Sequence, residues 1–339
     1  TPRHIAAMRA ALEDPGRHKR VSGRVFALAE GEERDPAPDR PTALADKLAS
    51  GKFVIGVEMD PPRGFSTHKL LAAAQMLAEA GADVINVADS PMARMRMSAW
   101  AVCHLIQTEV GVETVLHFPT RGRNLLRVQG DLLAAHALGV RNIFVVMGDP
   151  TAIGDYPEAM DNYDLVPSGL IKLVKRNFNA GVDLGGSDIG GKTSFLAGCA
   201  LNLCSPDPER ELKALRKKTA AGADFVLTQP VFDSNLARDF LRRYEEQFHG
   251  PLPVPVLVGV LPLYSARHAS FLHNEVPGIT IPQPIRERIE AAGENAPAEG
   301  VQIAVEMIRD LRGMVQGAYI MPAFGRYELA AEIIEATRG

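Results

Sequence analysis

Four polar side chains end or interrupt apolar runs in this chain, and together they could move a proton and read a heterocycle. Glu58 lies in FVIGVEM (53–59), His117 in TVLHFP (114–119) and Gln229 in DFVLTQP (224–230), while Asp149 directly follows NIFVVMG (142–148). A carboxyl among apolar neighbours loses hydration, so its pKa rises and it can keep a proton near neutral pH, as a general acid must. An ion pair with a neighbouring Arg or Lys is the structural alternative for Glu58. Asp149 follows Gly148, where a missing side chain admits a ligand closely; capping a turn is its alternative. The Gln229 amide can donate to and accept from a ring edge, or serve the backbone instead. A lone His in an apolar strand is more often a core residue, so His117 gains weight only from the other three. The set holds neither a Ser or Cys nucleophile arrangement nor a pattern of two His and one carboxylate, so a cofactor would have to carry the hard step. Cys103, Cys199 and Cys204 are odd in number and lack zinc-ligand spacing; they read as buried thiols in a reducing compartment, with no metal site.

The elements that must position these residues follow from periodicity. Eight apolar runs stand out, at 53–59, 83–89, 114–119, 142–148, 194–202, 224–230, 254–261 and 317–323. Most are apolar on both faces, as parallel strands covered by helices are. Between them lie patterns of helical period at 67–80, 92–109, 124–138, 165–178, 208–221, 234–247, 266–275 with 284–312, and 326–337. Gly81, Gly139 and Gly222 stand where helices should stop. Eight such units predict a closed α/β TIM (β/α)8 barrel, with function at the C-terminal ends of the strands. Two intervals are long. The first contains MGDPTAIGDYPEAMDNYDLV and GVDLGGSDIGG, the second an extra helix, and both are expected to supply loops to the functional face.

Composition narrows the partners. The 339 residues are 46% hydrophobic and 23% charged, with 37 Lys and Arg against 41 Asp and Glu, a net charge of -4. Wholesale disorder is excluded, and no basic field favours nucleic acid or anionic lipid, so the expected ligand is a small molecule. No apolar run approaches the roughly 18 residues that span a bilayer and no signal peptide opens the chain, so the reading is cytoplasmic without membrane attachment. Residues 186–193, GSDIGGKT, fit the phosphate-loop pattern. That loop must follow a strand and open a helix, whereas here it leaves a helix pattern and enters a strand pattern, so a P-loop nucleotide-binding protein is the weaker alternative.

Four segments together resemble the methylenetetrahydrofolate reductase family over about residues 42–339. VEMDPPRG (57–64) is similar to its E-x-x-PP-R/K signature, LHFPTR (116–121) to its barrel His segment, and VVMGDP (145–150) to its R-G-D-P turn. LRKKTAAGADFVLTQPVFD (215–233) is similar to its K-x-x-AGA-x-x-x-x-TQ-x-x-F-D run, the most specific of the four. The resemblance implies FAD along the barrel mouth, NADH or NADPH as hydride donor, and reduction of 5,10-methylenetetrahydrofolate to 5-methyltetrahydrofolate in alternating half-reactions. It makes Glu58 the acid, Asp149 a catalytic and pterin-binding carboxylate, and Gln229 the pterin-reading amide. It puts Ala88, Asp89, His117, Met147, Gly148, Asp149, Asn202 and Lys218 at flavin-contacting positions. The chain departs from the family where Met147 replaces an Arg, Val87-Ala88-Asp89-Ser90 replaces Val-Thr-Tyr-Gly, Ala266 replaces a Phe of some relatives, and Met321-Pro322 replaces an aromatic. A folate- or flavin-binding barrel without turnover is the alternative these departures favour.

The N-terminal part reads differently. Residues 1–14 have the pattern of a short helix, and residues 15–41 are charged, Pro-broken and linker-like. TPRHIAAM (1–8) resembles the last segment of homocysteine methyltransferase domains, G-T-T-P-x-H-I. The expectation is two parts: 1–41 as an N-terminal extension and linker, a possible remnant of an upstream homocysteine methyltransferase domain that would be a fused partner, and 42–339 as the reductase barrel. A homo-oligomer is the accompanying expectation.

Overall fold

The computed structural model describes residues 41–276 and 278–338, so the helix expected over 1–14 and nearly all of the 15–41 linker fall outside the described residues. Eight parallel strands close on themselves in sequence order. They are β1 (Val54–Met59), β2 (Val84–Val87), β3 (Thr114–Pro119), β4 (Asn142–Val146), β5 (Leu196–Leu201), β6 (Phe225–Pro230), β7 (Val256–Val260) and β8 (Gly317–Ile320). The ring closes where Val54, Ile55, Gly56 and Val57 pair with Gly317, Ala318, Tyr319 and Ile320. The eight-stranded TIM barrel expected from the spacing of apolar runs is therefore present.

Alternation along the strands sorts two cores. Inside the barrel Val54, Val84, Val115, Phe144, Phe225, Leu227, Leu257 and Tyr319 pack together. The opposite strand faces, Ile55, Val57, Ile85, Leu116, Ile143 and Val258 among them, pack against the helices. Those helices are α1 (Ala43–Ala49), α2 (His68–Ala80), α3 (Ala99–Glu109), α4 (Leu125–Ala137), α5 (Pro167–Arg176), α6 (Pro208–Ala221), α7 (Ser234–Phe248), α8 (Ala266–Glu275), α9 (Gln283–Ala292), α10 (Ala296–Leu311) and α11 (Tyr327–Arg338). Gly81 and Gly222 end α2 and α6 with φ of 103° and 106°, in the left-handed region that only glycine enters freely.

Several boundaries differ from the sequence reading. The helix expected at 92 starts at Ala99, because Ser90, Met92 and Ala93 hold φ of 50°, 55° and 52° and cannot join a right-handed turn. The 284–312 pattern is two helices, broken at Gly293 (φ 54°) before Pro297 restarts the chain. The short α1 escaped periodicity; Thr42 caps it through its side chain, and Leu44 plugs the N-terminal end of the barrel. The Gly-rich stretch 181–193 does not join the functional face. It links the end of α5 to the start of β5, and so lies at the opposite end of the barrel. There Asp183 and Asp188 accept from Ser187 and Gly190 N–H, and Thr193 donates to Asn179 Oδ1 at 2.7 Å. No helix follows to aim its N-terminus at a phosphate. Among the described residues no helix is long and apolar enough to cross a membrane.

Candidate active site at the barrel mouth

The inward phase of β1 runs Val54, Gly56, Glu58, so alternation alone lifts Glu58 to the C-terminal mouth. Its side chain is 25% exposed and lies 4.0 Å from His117 Nε2 of β3. The Tyr319 hydroxyl of β8 donates to Glu58 Oε2. Burial, then the charges of Asp60 and Asp149, push the Glu58 carboxyl up to about 8. Burial pushes His117 down to about 3, so its ring is neutral. The contact between them therefore joins a protonated acid to a neutral imidazole, not two ions. His117 packs edge-on to Phe144 at 4.9 Å, and its Nε2 has no hydrogen-bond partner among the described residues.

Gln229 ends the inward phase Phe225, Leu227, Gln229 of β6 and is solvent-exposed at the same mouth. A register shift between Leu227 and Pro230 accompanies it. The Thr228 hydroxyl fixes that irregularity by accepting from Gly259 N–H at 2.7 Å and donating to Gln229 O at 2.8 Å. Gly259 is required there: a Cβ would stand 2.4 Å from Thr228 O. Strand irregularities of this kind re-aim a side chain.

Asp149 leaves β4 through Gly148, whose φ is 88°. A Cβ at Gly148 would crowd Pro119 Cβ at 2.9 Å. Asp149 Oδ2 accepts from Met92 N–H at 2.6 Å, which tethers the left-handed 90–93 loop, and Arg121 donates to the Asp149 carbonyl. The carboxylate is thus at the mouth, where its charge lifts the Glu58 pKa, and is also engaged in holding a loop. Met147 is 40% exposed, with its sulfur accepting from the Thr120 hydroxyl.

The remaining positions expected around a flavin are committed to the protein. Ala88 is buried, and its N–H donates to Met59 O. Asp89 pairs with Arg123 at 2.7 Å; Arg123 also pairs with Asp131 and lies 5.0 Å over the Trp100 ring. Asn202 accepts from Cys204 N–H at 3.0 Å and donates to Gly278 O at 3.5 Å. Lys218 Nζ donates to Ala200 O at 2.6 Å. A protonated carboxyl, an unpartnered imidazole nitrogen and an exposed amide around one opening fit the polar edge of a flavin or pterin ring. The cations Lys218, Arg121 and Arg123 are bonded within the protein and would have to exchange those bonds for phosphate oxygens.

Sequence reasoning passed over Tyr319 and Asn86. The signal was available, since both are polar residues on the inward phase of an apolar run, Tyr319 in GAYI and Asn86 in VINV. Among the described residues no group of three or more His, Cys, Asp and Glu could hold a metal ion.

Comparison with known proteins places this geometry. The family profile described as methylenetetrahydrofolate reductase matches residues 43–337. Methylenetetrahydrofolate reductase 1 of Schizosaccharomyces pombe is 26% identical over 216 residues, covering 62% of this chain and 33% of that protein. Methylenetetrahydrofolate reductase (NADH) 1 of Arabidopsis thaliana is 24% identical over 218 residues, covering 61% of this chain and 35% of that protein. The matched segment thus spans about a third of these curated relatives. Among solved structures, an uncharacterized Clostridium thermocellum protein that binds two copies of 5-methyl-5,6,7,8-tetrahydrofolic acid shares the fold. Its TM-score is 0.60 at 15% identity, over 88% of this chain and 98% of that one.

Proposed function

This chain belongs to the methylenetetrahydrofolate reductase family, and from that premise we propose that it reduces 5,10-methylenetetrahydrofolate to 5-methyltetrahydrofolate, with NADH or NADPH as hydride donor and FAD as carrier. The observation that carries the reading is Glu58, a carboxyl lifted to about 8 at the open mouth of the barrel. At neutral pH it keeps its proton. It can deliver that proton to a folate nitrogen as the methylene bridge opens, leaving a carbon ready to accept hydride. The Tyr319 hydroxyl orients the carboxyl by hydrogen bonding to one oxygen. Gln229 offers the exposed amide to the pterin edge, and Asp149 supplies negative charge beside it.

FAD, when bound, supplies the two-electron link between nicotinamide and folate. Ala88, Asp89, His117, Met147, Gly148, Asp149, Asn202 and Lys218 are the residues proposed to hold it. In this reading 42–339 is the reductase unit and 1–41 an extension and linker, whose first residues would be the remnant of an upstream homocysteine methyltransferase domain. The named ligand of the Clostridium protein is the product proposed here, which supports a folate as ligand.

The test is a visible spectrum of the purified protein after FAD addition, followed by NAD(P)H oxidation with menadione and then with methylenetetrahydrofolate. A yellow protein that oxidises NAD(P)H with both acceptors is the expected outcome. A colourless protein inert with both overturns the proposal, and folate binding without oxidation selects the barrel without turnover.

A further inference from the structure

The inner wall beneath Glu58 carries polar atoms that no described residue satisfies. Asn86 on β2 is the register partner of Glu58 on β1 and is fully buried. Neither its amide oxygen nor its amide nitrogen has a hydrogen-bond partner among the described residues, and His117 Nε2 is in the same condition. Register partners in parallel strands point to the same side of the sheet, so Asn86 and Glu58 are neighbours on the barrel wall. Across β2 and β3, Asn86 pairs with Val115, one inward step below His117. The chain makes room for this amide: a Cβ at Gly56 would stand 2.7 Å from Asn86 Nδ2.

An amide buried with both ends unpaired is costly where a Leu or Val would pack, and ordered water is what commonly satisfies such groups. A water needs two to four polar partners. Here the Asn86 amide, the Glu58 carboxyl at the register position beside it, and His117 Nε2, 4.0 Å from that carboxyl, are the partners on offer.

We propose that Asn86 and His117 hold an ordered water beneath the Glu58 carboxyl, and that Asn86, through this water, is a positioning residue that sets the proton affinity of the acid. The inference deepens the reading above and rests on it for its effect on turnover, because there Glu58 is the proton donor. The water accepts from Asn86 Nδ2 and donates to the neutral imidazole nitrogen and to Glu58. A donor aimed at the carboxylate favours its ionised form. Four other groups face Glu58 from the packed elements: Asp60 at the end of β1, Asp149 after β4, Tyr319 from β8, and Tyr327 of α11, whose hydroxyl accepts from Asp60 N–H. The two carboxylates push in the same direction as burial; the water and the Tyr319 hydroxyl oppose them and keep the acid titratable in a working pH range.

The experiment follows the Glu58 carboxyl by carbon-13 NMR in FAD-supplemented, substrate-free protein, with its signal assigned by loss in Glu58→Gln. Asn86→Leu removes both amide ends while filling the volume, and Asn86→Ser keeps a hydroxyl able to hold the water. The midpoint is expected to rise by about one unit in Asn86→Leu, the effect of losing one hydrogen bond to the charged form. It should return toward the wild-type value in Asn86→Ser. The alkaline limb of folate reduction should move with it, while NAD(P)H oxidation by menadione stays unchanged. If Asn86→Leu does not fold, Gly56→Ala, which displaces the amide, provides the comparison with Asn86→Ser. An unmoved midpoint in whichever amide-removing variant folds overturns the inference even in an active reductase, whereas the expected shifts in a protein unable to reduce folate sustain it and sink the functional reading instead.

Discussion

At the N-terminal end of the barrel, carboxylates are closed in by partners. Asp83 accepts from Ile55 N–H and pairs with Lys47 and Arg338, each at 2.7 Å. Asp224 repeats the device one half-turn around the ring, accepting from Ala197 N–H at 2.7 Å and pairing with Lys175 at 2.8 Å. Glu113 accepts from the Ala43 and Leu44 N–H groups at the start of α1. The C-terminal mouth is built otherwise. Glu58 is flanked by two further carboxylates and a neutral imidazole, polar atoms of Asn86 and His117 have no hydrogen-bond partner among the described residues, and Ser90, Met92, Ala93 and Phe324 hold left-handed backbone. One residue type thus serves two purposes. Where strand amides and cations surround a carboxylate it ties strands together; where burial and like charge surround Glu58, it keeps a proton. Of the five described non-glycine residues with left-handed backbone, four lie at the end where chemistry is proposed, as strain does at functional sites, and His249 after α7 is the exception.

The sharpest way to break this contrast is at Glu58. Glu58→Gln should lower folate reduction by about 10²–10⁴-fold, the usual worth of a positioned acid, and leave NAD(P)H oxidation by menadione within a few fold in stopped-flow traces. An equal fall in both half-reactions would erase the special role of the mouth carboxyl. The converse lies at the other end of the barrel. Asp224→Ala strands the buried Ala197 N–H and removes the ion-pair partner of Lys175, and should cost about 1–3 kcal/mol in urea unfolding with kcat per folded molecule unchanged.

A smaller effect is expected from pH. The Glu58 pKa is raised from 4.5 to about 8, so the folded state binds this proton more tightly than the unfolded chain does. Its contribution to stability is full below about 4.5 and is lost as pH climbs through about 8. With a quarter of the side chain in water, the loss should be on the order of 1 kcal/mol. Relative to Glu58→Gln, the wild type should weaken on the alkaline side, and a slope of opposite sign would contradict a protonated acid. The smallest effect belongs to Lys192→Ala in the Gly-rich loop: stability within about 0.5 kcal/mol, unchanged turnover, and no ATP binding by calorimetry before or after the substitution.

Much of the fold was legible because strand and helix periods are local properties. Every one of the eight apolar runs became a barrel strand, and glycines after 80 and 221 stopped helices as their freedom at positive φ predicts. The false start at residue 92 had a tertiary cause, since the carboxylate that fixes the 90–93 loop belongs to Asp149, 57 positions away. The 181–193 loop was expected at the functional face because interval length carries no information about which end of the barrel a connection occupies. At the site, Glu58 was legible as a polar residue in an apolar strand. Tyr319 was legible as a polar residue on the inward phase of an apolar run, but its role was not, because its hydroxyl meets a carboxyl 261 positions distant. Asp89, Asn202 and Lys218 have residue types suited to a cofactor; their bonds to Arg123, to Cys204 and Gly278, and to Ala200 are visible only once the chain is folded.

Pattern alone determined that this chain alternates strand and helix eight times and that a carboxyl would sit within an apolar strand. Strand period and hydrophobicity are written residue by residue, so no distant contact was needed for either. Tertiary structure decided that the carboxyl keeps its proton, that an imidazole and a phenol meet it, and that an amide lies buried beside it. Those depend on dielectric surroundings and on charges brought together across the ring, and these exist only after the barrel has closed.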